Sequence, residues 1–395
     1  MMRISRRGFL KSGITGAGMV ALSPAIVSAA ASIQEKNIIY RTLGRTGLKV
    51  PVISFGVMRS DEQNLCKAAY DKGVRLFDTA NNYLEGKSEI MLGNLFRNYP
   101  RNSFVLATKV KPGTDREGKP TDETKPERFL EIFKVSLSRL QMDYVDILYV
   151  HDISNPEFLD YKPIINTVKQ LKKDGKIKFI GFSTHRNEPA VISAAADSDT
   201  WDVILTQYNY RLAYLPEINA AIKKAASAGI GIVAMKTLAG GRFLDKEKSK
   251  PMNTTAALKW VLSNPDVHTT IPGMTSFDQL DLNVKILEDI TLTEQEKSDI
   301  AAASSEPGLF CSGCKKCLPV CPKNLPVPDL MRAYMYAYGY SSPAMAGTLL
   351  AELGISNNPC SGCETCTVKC SGNFDVKERI ADISRVADIP SDFLA

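Results

Sequence analysis

The sequence predicts an α/β protein in which a closed barrel of parallel strands and helices is followed by a small, mainly α-helical domain. Three observations predict this fold. The chain has 395 residues, more than one compact domain usually holds. Eight short β-branched runs alternate with helical patterns between residues 37 and 305, and eight strand–helix units over about 250 residues are typical of a (βα)8, or TIM, barrel. Eight of the nine cysteines then follow residue 306.

The predicted strands are short runs rich in β-branched residues. They lie at 52–56, 74–80, 104–110, 144–151, 179–183, 203–208, 230–236 and 268–273. Segments between them, such as 128–141, place apolar residues three and four positions apart, which predicts amphipathic helices. Before the first strand, 40–43 and 48–50 flank a glycine-bearing turn and predict a hairpin. The alternative is an open doubly wound sheet, but no G-x-G-x-x-G motif follows the first strand.

The first 31 residues have the pattern of an export signal. Residues 5–11 read Ser-Arg-Arg-Gly-Phe-Leu-Lys, and a short apolar run and then small residues follow. This order is typical of a signal peptide. The adjacent arginines before Phe-Leu-Lys resemble a twin-arginine (Tat) signal. We therefore predict a periplasmic or otherwise exported protein with residues 1–31 as its Tat signal peptide, and no other stretch long enough to span a bilayer.

Composition and charge argue against nucleic acid as a partner. The formal net charge is +6, and the four basic residues within 1–31 supply most of it. The rest of the chain is nearly neutral and has no basic stripe of the kind that follows a phosphate backbone. A hydrophobic content of 44% and a charged content of 23% are ordinary for a folded globular protein.

Four side chains with acid–base chemistry fall at the ends of neighbouring strands. Asp78 ends the second strand, Lys109 the third and His151 the fourth, while Tyr83 lies in the loop after the second. Chemistry in such barrels is located where the strands end, so we expect the four to converge. A buried lysine paired with an aspartate can lower the pKa of a neighbouring tyrosine, which then passes a proton to a carbonyl oxygen as hydride arrives at carbon. For His151 alone, the plain interpretation is a strand-end histidine bound to a neighbouring carbonyl.

The same motifs resemble the aldo/keto reductase family over most of residues 39–305. The matching segments are 73–80, Tyr83, 86–89 and 92–93 for its first signature, and 143–146 and 149–151 for its second. The resemblance implies an enzyme that interconverts a small carbonyl and an alcohol with NAD(H) or NADP(H). It implies Tyr83 as the general acid and base, Lys109 and Asp78 as the residues that tune it, and His151 as the residue that orients the carbonyl.

The resemblance also implies which residues hold the nicotinamide cofactor. Ser183 and Gln207 lie in segments that match those around the nicotinamide carboxamide. Relatives that prefer NADPH bind its 2′-phosphate with cationic side chains that follow the eighth strand. When this chain is aligned with them on Asn283, Gly273 and a glutamine stand at those cationic positions. The choice between NAD(H) and NADP(H) therefore stays open. Lys236 follows the seventh strand, where many relatives place an aromatic residue. It has two interpretations, a contact to the pyrophosphate or a solvated strand end.

The cysteines after residue 306 form two copies of one motif. The spacing C-x2-C-x2-C-x3-C runs from Cys311 to Cys321 and again from Cys360 to Cys370. Three thiolates from a tight loop fit three irons of one 4Fe–4S cube, and the fourth reaches the other cube. We therefore predict one cluster on Cys311, Cys314, Cys317 and Cys370, and a second on Cys360, Cys363, Cys366 and Cys321. Zinc and disulfides are the alternatives.

The insert between the two motifs resembles the helical ferredoxin domains of respiratory electron carriers, with helices predicted at 328–339 and 343–353. We divide the chain into a signal (1–31), the barrel (37–305), a two-cluster ferredoxin-type domain (306–372) and a helical tail (373–395). A catalytic protein of this kind would need a redox partner protein to exchange single electrons with its clusters. The competing hypothesis is an electron-transfer subunit whose barrel is a non-catalytic scaffold.

Overall fold

The computed structural model describes residues 37–239, 252–305, 310–390 and 393–394. The predicted Tat signal at 1–31 lies outside these residues and stays a prediction, as do the predicted domain boundaries. In the described part of the chain, no helix combines the length and the apolar character that crossing a bilayer requires.

Eight parallel strands form the predicted barrel within the described residues, so the fold class is confirmed. An antiparallel hairpin of β1 (Tyr40–Thr42) and β2 (Lys49–Pro51) comes first. The barrel strands are β3 (Phe55–Gly56), β4 (Leu76–Asp78), β5 (Val105–Val110), β6 (Val145–Val150), β7 (Ile177–Thr184), β8 (Val203–Gln207), β9 (Gly231–Met235) and β10 (Thr269–Thr270). They pair in chain order, and parallel bridges from Ile53 to Thr270 and from Gly56 to Gly273 join the last strand to the first.

A helix follows each barrel strand. These helices are α1 (Gln63–Asp71), α2 (Lys87–Phe96), α3 (Pro126–Leu140), α4 (Lys162–Lys173), α5 (Glu188–Ala195), α6 (Leu215–Ser227), α7 (Thr254–Leu262) and α8 (Phe277–Val284), and α9 (Glu294–Ser305) comes after them. The helices cover the outer face of the sheet, and β5 and β6 are therefore buried at every position.

Apolar side chains fill the inside of the barrel. Leu76, Ile147, Val203 and Val233 meet there and are fully buried. Leu43, next to the hairpin strand β1, joins the same cluster from the amino-terminal end. Because the interior is packed and this end is closed, polar chemistry is confined to the carboxyl ends of the strands.

The chain after residue 310 is mainly helical, as predicted. Helix α10 (Val327–Tyr334) continues into a π-helical turn (Met335–Gly339), and α11 (Pro343–Glu352) and α12 (Val376–Ser384) follow. These elements share a core of their own, which includes Leu330, Leu350 and Ile383 together with the buried Cys321 and Cys360.

Hydrogen bonds connect this helical region to the carboxyl end of the barrel. The backbone N–H of Ala213, in the loop after β8, donates to the carbonyl of Ser312 at 3.0 Å. Lys111, just after β5, donates from Nζ to Glu352 Oε2 at 2.7 Å. The helical region therefore forms a roof over the end of the barrel where the predicted catalytic residues lie.

Candidate active site and cysteine centres

A buried ion pair forms the base of the candidate site. Lys109, on β5, is 1% exposed, and its ammonium group binds the carboxylate of Asp78 at the end of β4 and the carbonyl of Thr79, the latter at 2.7 Å. Burial raises the pKa of Asp78 and lowers that of Lys109, while the attraction between the two groups opposes both shifts. The second carboxylate oxygen of Asp78 is buried and makes no hydrogen bond among the described residues.

The phenol of Tyr83 lies beside this ion pair, with Lys109 Nζ 4.6 Å from the ring centre. Burial raises the pKa of Tyr83 well above its ordinary value, and the Asp78 carboxylate raises it further. The sequence predicts the opposite direction, a pKa lowered by Lys109. That prediction is wrong because Asp78 offsets the lysine charge while burial penalises the phenolate. Tyr83 is therefore a neutral phenol that keeps its proton.

A strained turn fixes the backbone next to Tyr83. Leu84 and Glu85 have positive φ angles of 49° and 57°, which non-glycine residues rarely adopt. Gly86 follows with a φ of 90°, and a Cβ atom there would stand 2.3 Å from the guanidinium carbon of Arg139. That guanidinium donates to the carbonyl of Asn81 at 2.8 Å. Arg139 thus ties both sides of the turn to α3.

His151 directly follows β6 and faces Tyr83 edge to face, with ring centres 6.3 Å apart and an interplanar angle of 82°. Burial lowers the pKa of His151 to about 3, and the charge of Lys109 adds to this effect. Its Nδ1 is buried and has no hydrogen-bond partner among the described residues. The plain interpretation, a side chain bound to a neighbouring carbonyl, is therefore not what the structure shows. A neutral imidazole can donate one hydrogen bond to a substrate oxygen.

Tyr83 and His151 line a cavity of about 320 Å³, which we call the catalytic cavity. Its walls come from both the barrel and the roof. The roof residues include Arg332, Tyr336 and Met345. Both the barrel and the roof are therefore needed to form the catalytic cavity.

The residues predicted to hold the nicotinamide cofactor lie in different places. Lys236 and Gly273 line the catalytic cavity. Gln207 lines a neighbouring second cavity, also of about 320 Å³. Ser183 is fully buried, and its hydroxyl accepts a backbone N–H at 3.0 Å. Asn283 is 4% exposed on α8 and lines neither cavity, so the structure does not bring it together with the others.

Several of these residues are already engaged. Gln207 Nε2 donates to Glu188 Oε1 at 2.5 Å and to the Tyr214 hydroxyl at 2.8 Å, which leaves its amide oxygen able to accept a hydrogen bond. Lys236 Nζ donates to the Tyr336 hydroxyl at 3.3 Å. Lys236 is therefore half-buried and in contact with the roof, and its two interpretations stay open.

The stretch where NADPH-preferring relatives carry a phosphate clamp has no cationic side chain in this chain. Met274 is fully buried there. Gln279 accepts the backbone N–H of Thr275 through its Oε1 at 2.9 Å and so closes the first turn of α8. A 2′-phosphate would meet no positive charge from these residues. At Gly273 a Cβ atom would meet only a backbone oxygen at 3.7 Å.

The cysteines after residue 310 form two groups of four. Burial raises the pKa of Cys311 to about 12, and the thiols of Cys317, Cys370 and Cys314 contribute. Burial also raises the pKa of Cys360, with contributions from Cys363, Cys366 and Cys321. Cys370 thus lies near the first motif and Cys321 near the second, although Cys321 also contributes to the raised pKa of Cys317. The assignment of four cysteines to each cluster stays a prediction.

The cysteines form neither a disulfide nor, within the described residues, a compact site for a single metal ion. Across the described residues, no three or more His, Cys, Asp or Glu side chains are placed to hold a single metal ion. All nine cysteines are free of disulfides.

Comparison with known proteins agrees with this geometry. Residues 53–255 match the model of the aldo/keto reductase family. The chain belongs to the aldo/keto reductase family. Residues 310–375 of the chain match a 4Fe-4S dicluster domain.

The chain is also similar in sequence to individual proteins of known name. It is 29% identical to L-galactose dehydrogenase of Arabidopsis thaliana over 308 residues, which cover 66% of this chain and 93% of that protein. It is 28% identical to a putative voltage-gated potassium channel subunit beta of Schizosaccharomyces pombe, over 67% of this chain and 92% of that protein. A solved aldo-keto reductase from Bacillus halodurans in its holo form has the same fold, with a TM-score of 0.55 at 24% identity over 67% of this chain and 96% of the other.

Two cavity residues escape prediction from the sequence. Arg332 and Tyr336 belong to the roof but reach into the catalytic cavity. The available signal is the tyrosines at alternate positions from 334 to 340, whose ordinary interpretation is packing. The π-helical turn that carries Tyr336 is a further sign, since such turns often mark functional sites.

Proposed function

We propose that this protein is an exported oxidoreductase that transfers hydride between a nicotinamide dinucleotide and a small carbonyl or alcohol. It exchanges single electrons with a redox partner protein through two 4Fe–4S clusters. The observation that carries the catalytic part is a neutral phenol, Tyr83, facing a neutral imidazole, His151, at the base of one cavity. Both can donate a hydrogen bond to the same carbonyl oxygen.

In the direction of reduction, the bound dinucleotide supplies the hydride. Tyr83 gives its proton to the carbonyl oxygen, so that hydride and proton together yield the alcohol. Lys109, 4.6 Å from the ring centre, stabilises the phenolate that remains. His151 orients the carbonyl through a hydrogen bond, which its low pKa keeps available at neutral pH. Oxidation of an alcohol uses the same groups in reverse.

The dinucleotide fits the chain's own residues better as NAD(H) than as NADP(H). Gln207 has an amide oxygen left to accept from a carboxamide, and Gly273 leaves space at the end of the strands. Lys236 lies at the cavity wall with its charge available to a pyrophosphate. The absence of a cation around Met274 disfavours a 2′-phosphate.

The cysteine groups have the donor set and spacing for two clusters, each of which carries one electron. Exchange with a reduced nicotinamide would therefore take two single-electron steps and release one proton. The first group lies next to the barrel chemistry: Cys311 contributes to the raised pKa of Tyr214, whose hydroxyl contacts Gln207. A Cβ atom at Gly313, in the same loop, would stand 2.8 Å from the Tyr214 ring. This contact supports a short path between cluster and dinucleotide.

Export by the Tat route is supported by residues 5–11 and by the cysteine content. Exposed thiols in an oxidising compartment usually form disulfides. A route that carries folded proteins would let the clusters form in the cytoplasm first. In cells, Arg6→Lys with Arg7→Lys should keep the protein in the cytoplasm, while Lys11→Gln should leave export intact. Unchanged secretion of the double variant would reject this route.

A scaffold barrel is the second candidate function. It is favoured by the similarity to a protein described as a putative potassium channel subunit beta. The buried pair of Lys109 and Asp78 argues for catalysis, because burying two charges carries a desolvation penalty that would bring a scaffold no advantage. If the dinucleotide-loaded protein reduces no carbonyl compound, the scaffold hypothesis is favoured.

The decisive experiment is anaerobic purification followed by assays for iron, acid-labile sulfide and dinucleotide binding. We expect about eight irons and eight sulfides per chain, and saturable binding of NADH that is tighter than that of NADPH. A Cys314→Ser variant should lower the iron content, whereas Cys66→Ser, in α1, should not. Near-zero iron would reject the clusters, and no saturable dinucleotide binding would reject the reductase.

A further inference from the structure

We infer that the second cavity binds an anionic group, a carboxylate or a phosphate, of the carbonyl substrate. This inference rests on the proposed function, because it assigns the substrate class of the same site. The second cavity lies between the barrel and the roof. His185 and Gln207 line it from the barrel, and Lys315 and Arg332 line it from the helical region.

The two cavities are neighbours and share three lining residues. His185, Lys236 and Arg332 line both of them. The ring of His185 lies 6.0 Å from that of His151, which faces Tyr83. A small molecule with its carbonyl oxygen at Tyr83 and His151 can therefore extend past His185 and place a second group in the second cavity.

Cations outnumber carboxylates in the wall of the second cavity. The cations are Arg116, Arg186, Lys236, Lys315 and Arg332, and the carboxylates are Glu117, Glu188 and Asp329. Glu117 is 73% exposed and pairs with Lys119 at 3.7 Å. Burial raises the pKa of Glu188, which favours its uncharged form. Five cations thus face three carboxylates in this wall, and Asp329 pairs with Arg332 at 2.9 Å and with Arg186 at 3.9 Å.

Several donors in this wall have no acceptor. Lys315 forms no ion pair with any carboxylate among the described residues; Lys236 forms none either, but its Nζ donates to the Tyr336 hydroxyl at 3.3 Å. Nε of Arg186, Nε of Arg332 and Nδ1 of His185 are buried without a hydrogen-bond partner there. Arg332 does pair with Asp329 at 2.9 Å, but only through its terminal nitrogen. Buried donors and cations without partners are costly, and an anionic ligand would satisfy them together.

The neighbouring side chains respond to this positive potential. Burial alone would raise the pKa of Asp152, but Arg332, Arg186 and Lys111 hold it below its ordinary value. Burial lowers the pKa of His185 well below its ordinary value, and Lys236 and Arg332 lower it further. The charge of Arg332, in the roof, therefore changes the pKa values of side chains at the base of the cavity, beside the reacting carbonyl.

The geometry selects a substrate class. The anionic group must lie a few bonds from the carbonyl, because His185 and His151 are close neighbours. An oxo acid, an acidic sugar or a phosphorylated sugar meets this requirement. A neutral carbonyl compound leaves Lys315 and Nε of Arg332 without an acceptor.

Binding can be tested without turnover, on the anaerobically purified holoprotein. Isothermal titration calorimetry with malonate and with inorganic phosphate separates a carboxylate from a phosphate site. We expect saturable binding of at least one probe, weakened about tenfold by Arg332→Gln and by Lys315→Gln, since each removes one charge-assisted contact. Lys316→Gln is the matched control, because this adjacent lysine does not line the cavity. Visible absorption of the clusters verifies that each variant is intact.

A second measurement separates this inference from the proposed function. The holoprotein is assayed for reduction of paired substrates with the same carbonyl, such as glucuronate and glucose. The expected result is a higher kcat/KM for the anionic member and loss of that preference in Lys315→Gln. Anion binding without reduction of any carbonyl would keep the site and reject the reductase. Equal reduction of both members, or probe binding that neither variant weakens, would overturn the anionic substrate while the reductase stands.

Discussion

The two ends of the barrel treat buried polar groups differently. At the amino-terminal end, Asp202 accepts the backbone N–H of Ile180 at 2.9 Å and binds Lys172 at 2.6 Å. At the carboxyl end, one oxygen of Asp78 and Nδ1 of His151 are buried without a partner among the described residues. Asp202 is thus satisfied within the fold, whereas Asp78 and His151 each keep a buried atom that a ligand can use. Stability and chemistry are separated along the barrel axis.

Two histidines show the same contrast. His268, at the start of β10, accepts the backbone N–H of Ile232 through Nδ1 at 2.9 Å. His185, just after β7, has a buried Nδ1 without a partner among the described residues. The same side chain is therefore a structural acceptor at one end and an available group at the other.

The largest expected effect concerns the phenol at the carboxyl end. Tyr83→Phe should lower carbonyl reduction by about 10²- to 10⁴-fold, because it removes the proton donor. Tyr149→Phe is the matched control: Tyr149 is fully buried inside the barrel and lines neither cavity. Steady-state kinetics with NADH and a carbonyl substrate measure both. Retained turnover in Tyr83→Phe would place the proton donor elsewhere.

The next effect compares two lysine–aspartate pairs. Lys109→Met should cost about 3–5 kcal/mol of unfolding free energy, because Asp78 loses its partner while buried. Lys172→Met should cost about 0–1 kcal/mol, because Lys172 is 40% exposed and Asp202 keeps a backbone donor. Anaerobic urea denaturation followed by circular dichroism compares the two. Equal costs would contradict the separation of the two ends.

A smaller difference is expected between the two histidines. His268→Leu should cost about 1–3 kcal/mol, because it leaves the amide of Ile232 buried without an acceptor. His185→Leu should change stability by roughly 0.5 kcal/mol or less, since no hydrogen bond of its Nδ1 is lost. The same denaturation assay measures both variants. A larger loss in His185→Leu than in His268→Leu would show that the carboxyl end also carries stability.

The smallest expected effect is on pH dependence. The raised pKa of Tyr83 keeps its proton in place throughout the neutral range, and His151, with a pKa of about 3, stays neutral above that value. The kcat for reduction should therefore be flat between about pH 5 and 9. Initial rates at constant ionic strength test this. A break near pH 6.5 would mean that a histidine titrates during turnover.

The sequence predicts much of this architecture because barrel strands repeat a local pattern. Eight β-branched runs define the strands, and parallel pairing then brings strand ends such as Asp78 and Lys109 to one face. The direction of the Tyr83 pKa shift is not predictable in this way, because it depends on how completely the phenol is buried. The positions of Arg332 and Tyr336 depend on packing between two parts of the chain, which local periodicity does not encode.

Asn283 shows the limit of reasoning by alignment. It marks the position of a cofactor segment in relatives, but here its side chain is on the buried face of α8. The nearby glutamine is occupied in closing the first turn of that helix. A residue's place in a motif therefore predicts its backbone position better than the direction of its side chain.

The roof over the catalytic cavity has a consequence for maturation. Cys321 and Cys360 belong to the same core as Leu330 and Leu350, in the helices that form the roof. Ligation of iron by these thiolates would couple roof folding to cluster assembly. A chain that received no iron would keep its barrel and lose part of its cavity wall. Iron supply would then determine the fraction of newly made protein that has a complete cavity wall.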